Sequence, residues 1–278
     1  MSDITGNTRI FGILADPIHH VKTPQGINRL LREQQIDGVM VPIHVSAAGL
    51  NDLMRGLRHM NNLSGFIVTV PHKTAMLALC DEVTPASARI GAVNAVRRLA
   101  DGRMVGAMLD GEGFVAGLRS RGIEPKGLSV YLAGAGGAAG AIAFALAQAG
   151  ISRLTVANRT PSKAVELVGR LAQHFGHITL AVGTSDPSGH DLVVNATSSG
   201  LHENDPLPLD TQRLTNDQIV AEVIMQPADT PLLRAAAERG CRVHPGAPML
   251  ACQLELMATF MGAYGEARAA AMTVNATR

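Results

Sequence analysis

Residues 128–150, "LSVYLAGAGGAAGAIAFALAQAG", constrain the fold more than any other stretch of the chain. A β-rich run meets a glycine-rich turn, and an alanine-rich helical run follows. In that setting Gly134, Gly136 and Ala139 satisfy the pattern G-x-G-x-x-[GA], which needs a preceding strand and a following helix to mean anything. Gly134 permits the tight turn, and Gly136 lets a pyrophosphate approach the backbone. The helix N-terminus then faces the phosphates. Gly134, Ala135, Gly136, Gly137 and Ala138 are accordingly the candidate phosphate-contacting residues. A glycine-rich loop within an alanine-rich helical hairpin is the competing reading.

The following strand ends in "TVANRTPSK" (155–163). An NAD-type unit usually carries an acidic residue there for the ribose hydroxyls. This chain has Asn158 and then Arg159. A carboxylate would repel a 2′-phosphate, whereas a guanidinium grips one in bidentate fashion. Thr160 adds a hydroxyl and Lys163 a second positive charge. The expected cofactor is therefore NADP in preference to NAD. Arg159 as a solvated surface charge is the alternative.

Strands alternating with amphipathic helices extend on both sides of this unit. Strands are expected at 9–15, 38–45 and 65–70, and helices at 23–36, 49–60, 73–80 and 84–91, with Thr23 capping the first helix. Beyond the glycine-rich turn, strands are expected at 153–160, 178–183, 190–197, 218–225 and 240–246, with a helix at 162–175 and a last apolar helix at about 247–263. This is an α/β chain with two mainly parallel sheets. The break falls in the turn-rich stretch 100–127. "EARAAAMTVNATR" (266–278) reads as a frayed tail.

Composition narrows the function. Of 278 residues 17% are charged, the formal net charge is +1, and no run of one sign occurs, so a polyanionic partner is not indicated. Aromatic residues are 3% with no Trp, which leaves no base-stacking surface. Three cysteines without a CxxC pair, Cys80, Cys241 and Cys252, suit small buried thiols in a reducing compartment. No segment has the length and apolarity of a membrane span or a signal peptide, and a cytoplasmic location is expected. The histidines show no HxH or HExxH spacing, so no metal is implied.

"FIVTVPHKT" (66–74) aims a lysine from the end of a buried strand. By itself Lys73 could be an edge charge. The surrounding segments decide otherwise: "GILADPIHHVKTPQGIN" (12–28), "GFIVTVPHK" (65–73), "GAVNAV" (91–96), "GAMLDGEG" (106–113), "AGAGGAAGAI" (133–142), "NRTPSK" (158–163), "VVNATSSGL" (193–201) and "PGAPMLACQ" (245–253). In order and spacing the chain resembles the shikimate/quinate dehydrogenase family over nearly its whole length. The resemblance implies an N-terminal α/β substrate domain (1–107), a C-terminal Rossmann-type NADP-binding domain (108–245), and a final helical segment (246–278) packing back on the first. It implies reversible hydride transfer between NADP and a ring hydroxyl of shikimate, quinate or a related cyclic polyol, in the setting of aromatic amino acid biosynthesis. A homodimer is one expected assembly.

The resemblance also assigns residues. Lys73 matches the catalytic lysine and Asp110 its partner aspartate. Thr69, Asn94 and Gln253 match substrate-contacting positions, and Asn94 could equally serve as a turn former. Ala196 and Thr197 lie in the loop near the nicotinamide. His72 is expected to face elsewhere. The departures lie in the substrate pocket. In the stretch "HVKTP", from His20 to Pro24, Val21 and Thr23 replace two serines that hold the substrate carboxylate. Met225 replaces a tyrosine with the same task. Ile67 and the pair Met108–Leu109 replace further polar residues. Losing two hydrogen bonds to a charged group costs about 3–6 kcal/mol, a factor of roughly 10²–10⁴. Weak turnover of shikimate follows. A non-catalytic NADP-binding regulatory protein on the same fold is the rival expectation, although such a protein needs no proton-transfer pair.

Overall fold

The computed structural model describes residues 3–19 and 21–275; the first two residues, His20 and the last three residues lie outside them. The described chain divides into two compact units. One comprises residues up to Leu109 together with those from Leu254 onward, and the other runs from Asp110 to Gln253.

The first unit begins β1 (Arg9–Ala15), α1 (Thr23–Glu33), β2 (Gly38–His44), α2 (Leu50–Leu57), β3 (Leu63–Val68) and α3 (Lys73–Leu79). Then come β4 (Glu82–Val83), α4 (Pro85–Ile90), β5 (Ala95–Arg98) and β6 (Met104–Ala107). The sheet order is β2-β1-β3-β5-β6-β4. β1 runs parallel to β2 and β3, while β5 is antiparallel to both its neighbours. Period-two alternation sends Phe11 and Ile13 of β1 to one face and Ile10 and Leu14 to the other, so this strand is buried on both sides. Ile27 and Leu31 of α1, four residues apart, close the first face together with Met257, Phe260 and Met261. Leu50, Met54 and Leu57 of α2 close the second. Asn28 pins α1 to β2 reciprocally, donating to the Met40 carbonyl (2.9 Å) and accepting from its N–H (2.8 Å).

The second unit begins with α5 (Asp110–Ser120), β7 (Ser129–Ala133), α6 (Gly137–Gln148), β8 (Arg153–Ala157), α7 (Pro161–Ala172), β9 (Thr179–Val182) and β10 (Leu192–Asn195). It continues through β11 (Ile219–Glu222), α8 (Pro231–Glu238), β12 (Arg242–His244) and the first half of α9 (Ala247–Phe260). The order β12-β11-β10-β7-β8-β9 is parallel throughout. Numbered within the unit, this is the 3-2-1-4-5-6 order of a doubly wound dinucleotide-binding sheet. The strand order reverses between β7 and β10. Crevices at the carboxyl ends of such a pair bind ligands.

The expected α/β class and two parallel-rich sheets are therefore present. Several local expectations need correction. Thr23 is the first residue of α1, not its cap; Lys22 holds the cap position without a side-chain cap bond. The supposed break at 100–127 contains β6 and α5, hidden from the sequence by glycines that serve packing. Residues 266–275 form a helix, α10 (Glu266–Asn275), where a frayed tail was expected; its Ala269 is fully buried. The short strands β4, β5 and β6 were not expected, and neither was α8, although Thr230 caps it and Pro231 opens it. Of the three free cysteines only Cys241 is buried; Cys80 and Cys252 are half-buried. Among the described residues no helix is long and apolar enough to cross a membrane.

Glycine holds α5 against its neighbours. A Cβ on Gly111 would fall on the Ala141 carbonyl of α6, and one on Gly117 would sit 2.8 Å from the Met249 nitrogen of α9. Both obstacles are backbone, which cannot swing aside. Gly111→Ala should therefore destabilise the protein by about 1–3 kcal/mol. Gly169→Ala, on the exposed face of α7 with nothing within 4 Å of the new methyl, should stabilise it by roughly 0.5–1 kcal/mol. Urea midpoints of the two variants, moving in opposite directions, are the measurement.

Candidate active site

In the first unit the sequence-predicted residues gather where β1 and β3 end. Thr69 N–H donates to the Leu14 carbonyl (3.0 Å), and Asp16 N–H donates to that of Val70 (3.2 Å). Thr69 is half-buried at this rim. Lys73, half-buried, opens α3, and its carbonyl accepts the Val93 N–H (2.9 Å). That bond holds the start of α3 against the segment carrying Asn94. His72, the residue before Lys73, is only 1% exposed, and its Nε2 pairs with the Val45 carbonyl at 2.8 Å. Its ring is thus spent on a loop.

Asn94 is fully buried. Its carbonyl accepts the Val68 N–H (2.8 Å), its N–H donates to Ala107 (2.9 Å), and its Oδ1 accepts the Leu109 N–H (2.8 Å). One side chain therefore fixes the backbone immediately before Asp110. Val21 is half-buried against the first core, and Thr23 is half-buried at the start of α1. Ile67, Met108 and Leu109 are core side chains, each 3% exposed or less. The change in accessible polarity thus comes down to Val21 and Thr23 in this unit and Met225, which is 44% exposed, in the other.

In the second unit Asp110 is the first residue of α5 and is 6% exposed. The Gln253 side-chain amide donates to its Oδ1. Gly113 makes this possible, since a Cβ there would lie 2.9 Å from the Gln253 Cβ. The neighbouring Glu112 is half-buried, and desolvation pushes its carboxyl up to about 7.

The glycine-rich turn joins β7 to α6 at the point where strand order reverses. Gly134 has φ +115°, a conformation open chiefly to glycine, and a Cβ there would meet the Ala196 carbonyl oxygen at 2.8 Å. Its N–H donates to the Ala157 carbonyl at the end of β8 (2.7 Å). Ala135 is half-buried, while Gly136, Gly137 and Ala138 are exposed with open space where glycine Cβ atoms would stand. No side chain caps α6, which leaves its first N–H groups without a side-chain acceptor, as at helix ends that bind anions. Just past β8, the Asn158 amide donates to the Thr160 carbonyl (2.9 Å). Arg159, Thr160 and Lys163 are all exposed there, and the Thr160 hydroxyl makes no cap bond to α7. Open backbone donors flanked by two cations are a donor set that fits a phosphorylated dinucleotide.

Ala196 and Thr197 follow β10 beside this turn. The Ala196 N–H donates to Ala133 (2.8 Å), and Thr197 is held by the side chain of Asn195. The residue that sequence reasoning missed is Glu222, fully buried at the end of β11 and bonded to Asn195. A lone glutamate inside the apolar run "QIVAEVIM" was the available signal.

Comparison with known proteins bears on what these residues do. Residues 13–96 match the family model described as shikimate dehydrogenase substrate binding domain, and residues 119–203 match that of shikimate / quinate 5-dehydrogenase. A shikimate dehydrogenase (NADP(+)) of Rubrobacter xylanophilus is 39% identical over 254 residues, covering 90% of this chain and 89% of the relative. The ligand-free 5-ketofructose reductase of Gluconobacter sp. superposes with a TM-score of 0.88 at 31% identity, covering 98% of this chain and 99% of that one. A shikimate 5-dehydrogenase of Listeria monocytogenes, solved with shikimate and NAD, superposes with a TM-score of 0.86 at 29% identity, covering 91% of each chain.

The raised pKa of Glu112 gives a stability test. A carboxyl whose folded pKa exceeds its unfolded value contributes stability that is full at low pH and lost as pH rises through about 4.5 to 7. Glu112→Gln is neutral at every pH and so lacks this loss. The variant should gain stability relative to the unaltered protein between pH 5 and pH 8, as read by urea midpoints at each pH.

Proposed function

The chain belongs to the shikimate/quinate dehydrogenase family, and on that premise we propose that it is an NADP-dependent oxidoreductase interconverting a ring hydroxyl and a ketone on shikimate or a related cyclic polyol. The observation that carries this reading is the presence of Lys73 and Asp110, each in its family segment, in a chain 39% identical to a shikimate dehydrogenase over most of its length. The first unit with the C-terminal helices binds substrate, and the second binds the dinucleotide.

Loss of hydride from a carbinol requires loss of the hydroxyl proton, so a base must reach that oxygen. Lys73 and Asp110 are the proposed acid/base pair. Gln253, donating to Asp110, orients the carboxylate, and Gly113 gives it room to do so. Asn94, through its bond to the Leu109 N–H, fixes the chain just ahead of Asp110. Bound NADP supplies the hydride acceptor. The first N–H groups of α6 would hold its pyrophosphate, and Arg159, Thr160 and Lys163 would hold its 2′-phosphate. The free cysteines suit a reducing cytoplasm.

The substrate is less acidic than shikimate in this reading. Val21, Thr23 and Met225 stand where the family's carboxylate contacts are expected, and only Thr23 keeps a hydroxyl. A full-length neighbour named a 5-ketofructose reductase supports an uncharged, hydroxylated substrate on this scaffold.

Nicotinamide absorbance is the assay. Lys73→Ala should lower turnover by roughly 10²–10⁴-fold and leave NADP affinity within about threefold; unaltered turnover would sink the acid/base assignment, while loss of NADP binding in the unaltered protein would sink the whole reading. Arg159→Ala should weaken NADP by about 10–100-fold and leave NAD nearly unchanged. The unaltered protein should turn over shikimate poorly, and Val21→Ser with Met225→Tyr should raise its kcat/KM by about 10²-fold or more.

A further inference from the structure

Glu222 ends β11 with no solvent exposure, and four donors converge on its carboxylate. Oε1 accepts the N–H groups of Val223 (2.9 Å) and Ile224 (3.1 Å). Oε2 accepts the Asn195 amide (3.0 Å) and the Thr230 hydroxyl (3.1 Å). None of these partners is a cation, an arrangement that is expensive to assemble unless every lone pair is met. Burial pushes the carboxyl upward, and the four donors work against that shift.

Each partner leads to a different piece of chain. Asn195 is the hub of the turn that follows β10. Its Oδ1 accepts from both the Thr197 N–H (3.0 Å) and the Thr197 hydroxyl (2.7 Å), and its amide also donates to the Ser199 carbonyl (3.0 Å). The Thr197 hydroxyl in turn accepts the Ser199 N–H (3.1 Å). Val223 and Ile224 lead straight into Met225. Thr230 caps α8 by accepting the Leu233 N–H (3.3 Å). One carboxylate therefore ties the Ala196–Thr197 turn, the approach to Met225 and the start of α8 to one another.

We propose that Glu222 is a positioning residue: acting through Asn195, it holds the Ala196–Thr197 turn where it restrains a bound nicotinamide. This rests on the NADP-dependent reading above. The hydrogen-bond polarity makes the claim sharp. Two Thr197 donors fix Asn195 Oδ1, so its amide nitrogen must face residue 222 and needs an acceptor there. Glu222→Gln keeps size and burial. Its oxygen can serve Val223 and Ile224, and Thr230 can turn to accept. Its amide nitrogen then meets the Asn195 amide, donor against donor, and the damage falls on the turn.

The test uses full-length protein and NADPH alone. Calorimetry gives the dissociation constant, and the fluorescence lifetime of bound NADPH reports how firmly the nicotinamide is held. Glu222→Gln should keep the NADPH dissociation constant within about threefold, because the α6 N-terminus and Arg159 are untouched. Its bound-state lifetime should lose most of the enhancement over free NADPH. Thr230→Val removes one Glu222 contact and leaves the Asn195 contact in place, so it should lower the melting temperature and spare the lifetime. If Glu222→Gln fails to fold, Glu222→Asp carries the same expectation, since the shorter side chain keeps its charge and withdraws from Asn195. An unchanged lifetime in a variant that binds NADPH would overturn the proposal. So would an equal lifetime loss in Thr230→Val, which would mark general loosening. Failure of the unaltered protein to bind NADPH would overturn the cofactor reading along with it.

Discussion

Backbone meeting backbone around α5 is the constraint on which the second unit depends. Gly111 lets α5 lie against the Ala141 carbonyl of α6, and Gly113 and Gly117 let it lie against Gln253 and Met249 of α9. Side chains at these places would wedge the helices apart. The close approach has a chemical result, because it brings the Gln253 amide to the Asp110 carboxylate. It also seats α6, whose uncapped first turn is the candidate phosphate cradle. Packing and site are consequences of the same missing Cβ atoms.

Buried polar side chains fix the loops that packing cannot. Asn94, Asn195 and Glu222 are each fully buried, and each hydrogen-bonds to backbone groups of a neighbouring loop. Such groups are costly when unmatched, so they tolerate few loop conformations. Asn94 fixes the residue before Asp110, Asn195 fixes the turn bearing Ala196 and Thr197, and Glu222 fastens that turn to the next loop. Residues whose chemistry is proposed stand on supports of this kind in both units.

Polarity at the accessible edges tells a separate story. The core takes up Ile67, Met108 and Leu109, so these positions no longer speak to substrate choice. Val21 and Met225 remain as apolar side chains within reach of solvent. The proposed substrate preference therefore rests on these two positions and on Thr23.

The sequence alone determined the α/β class and the turn from Gly134 to Ala139. These are local: a glycine at positive φ, a strand run and a helix start are written in consecutive residues. The family segments carrying Lys73 and Asp110 were legible in the same way. Tertiary structure decided what sequence periodicity could not. The glycines of α5 looked like turn formers because their packing partners, Ala141 and Met249, are far along the chain. β5 and β6 are too short to show alternation; β5 forms on the edge that β3 offers, and β6 on the edge of β5. Thr23 looked like a cap and is instead the first residue of its helix. Glu222 looked like an odd charge in a strand, and its meaning appears only when Asn195 and Thr230, distant in sequence, supply the donors that make its burial possible.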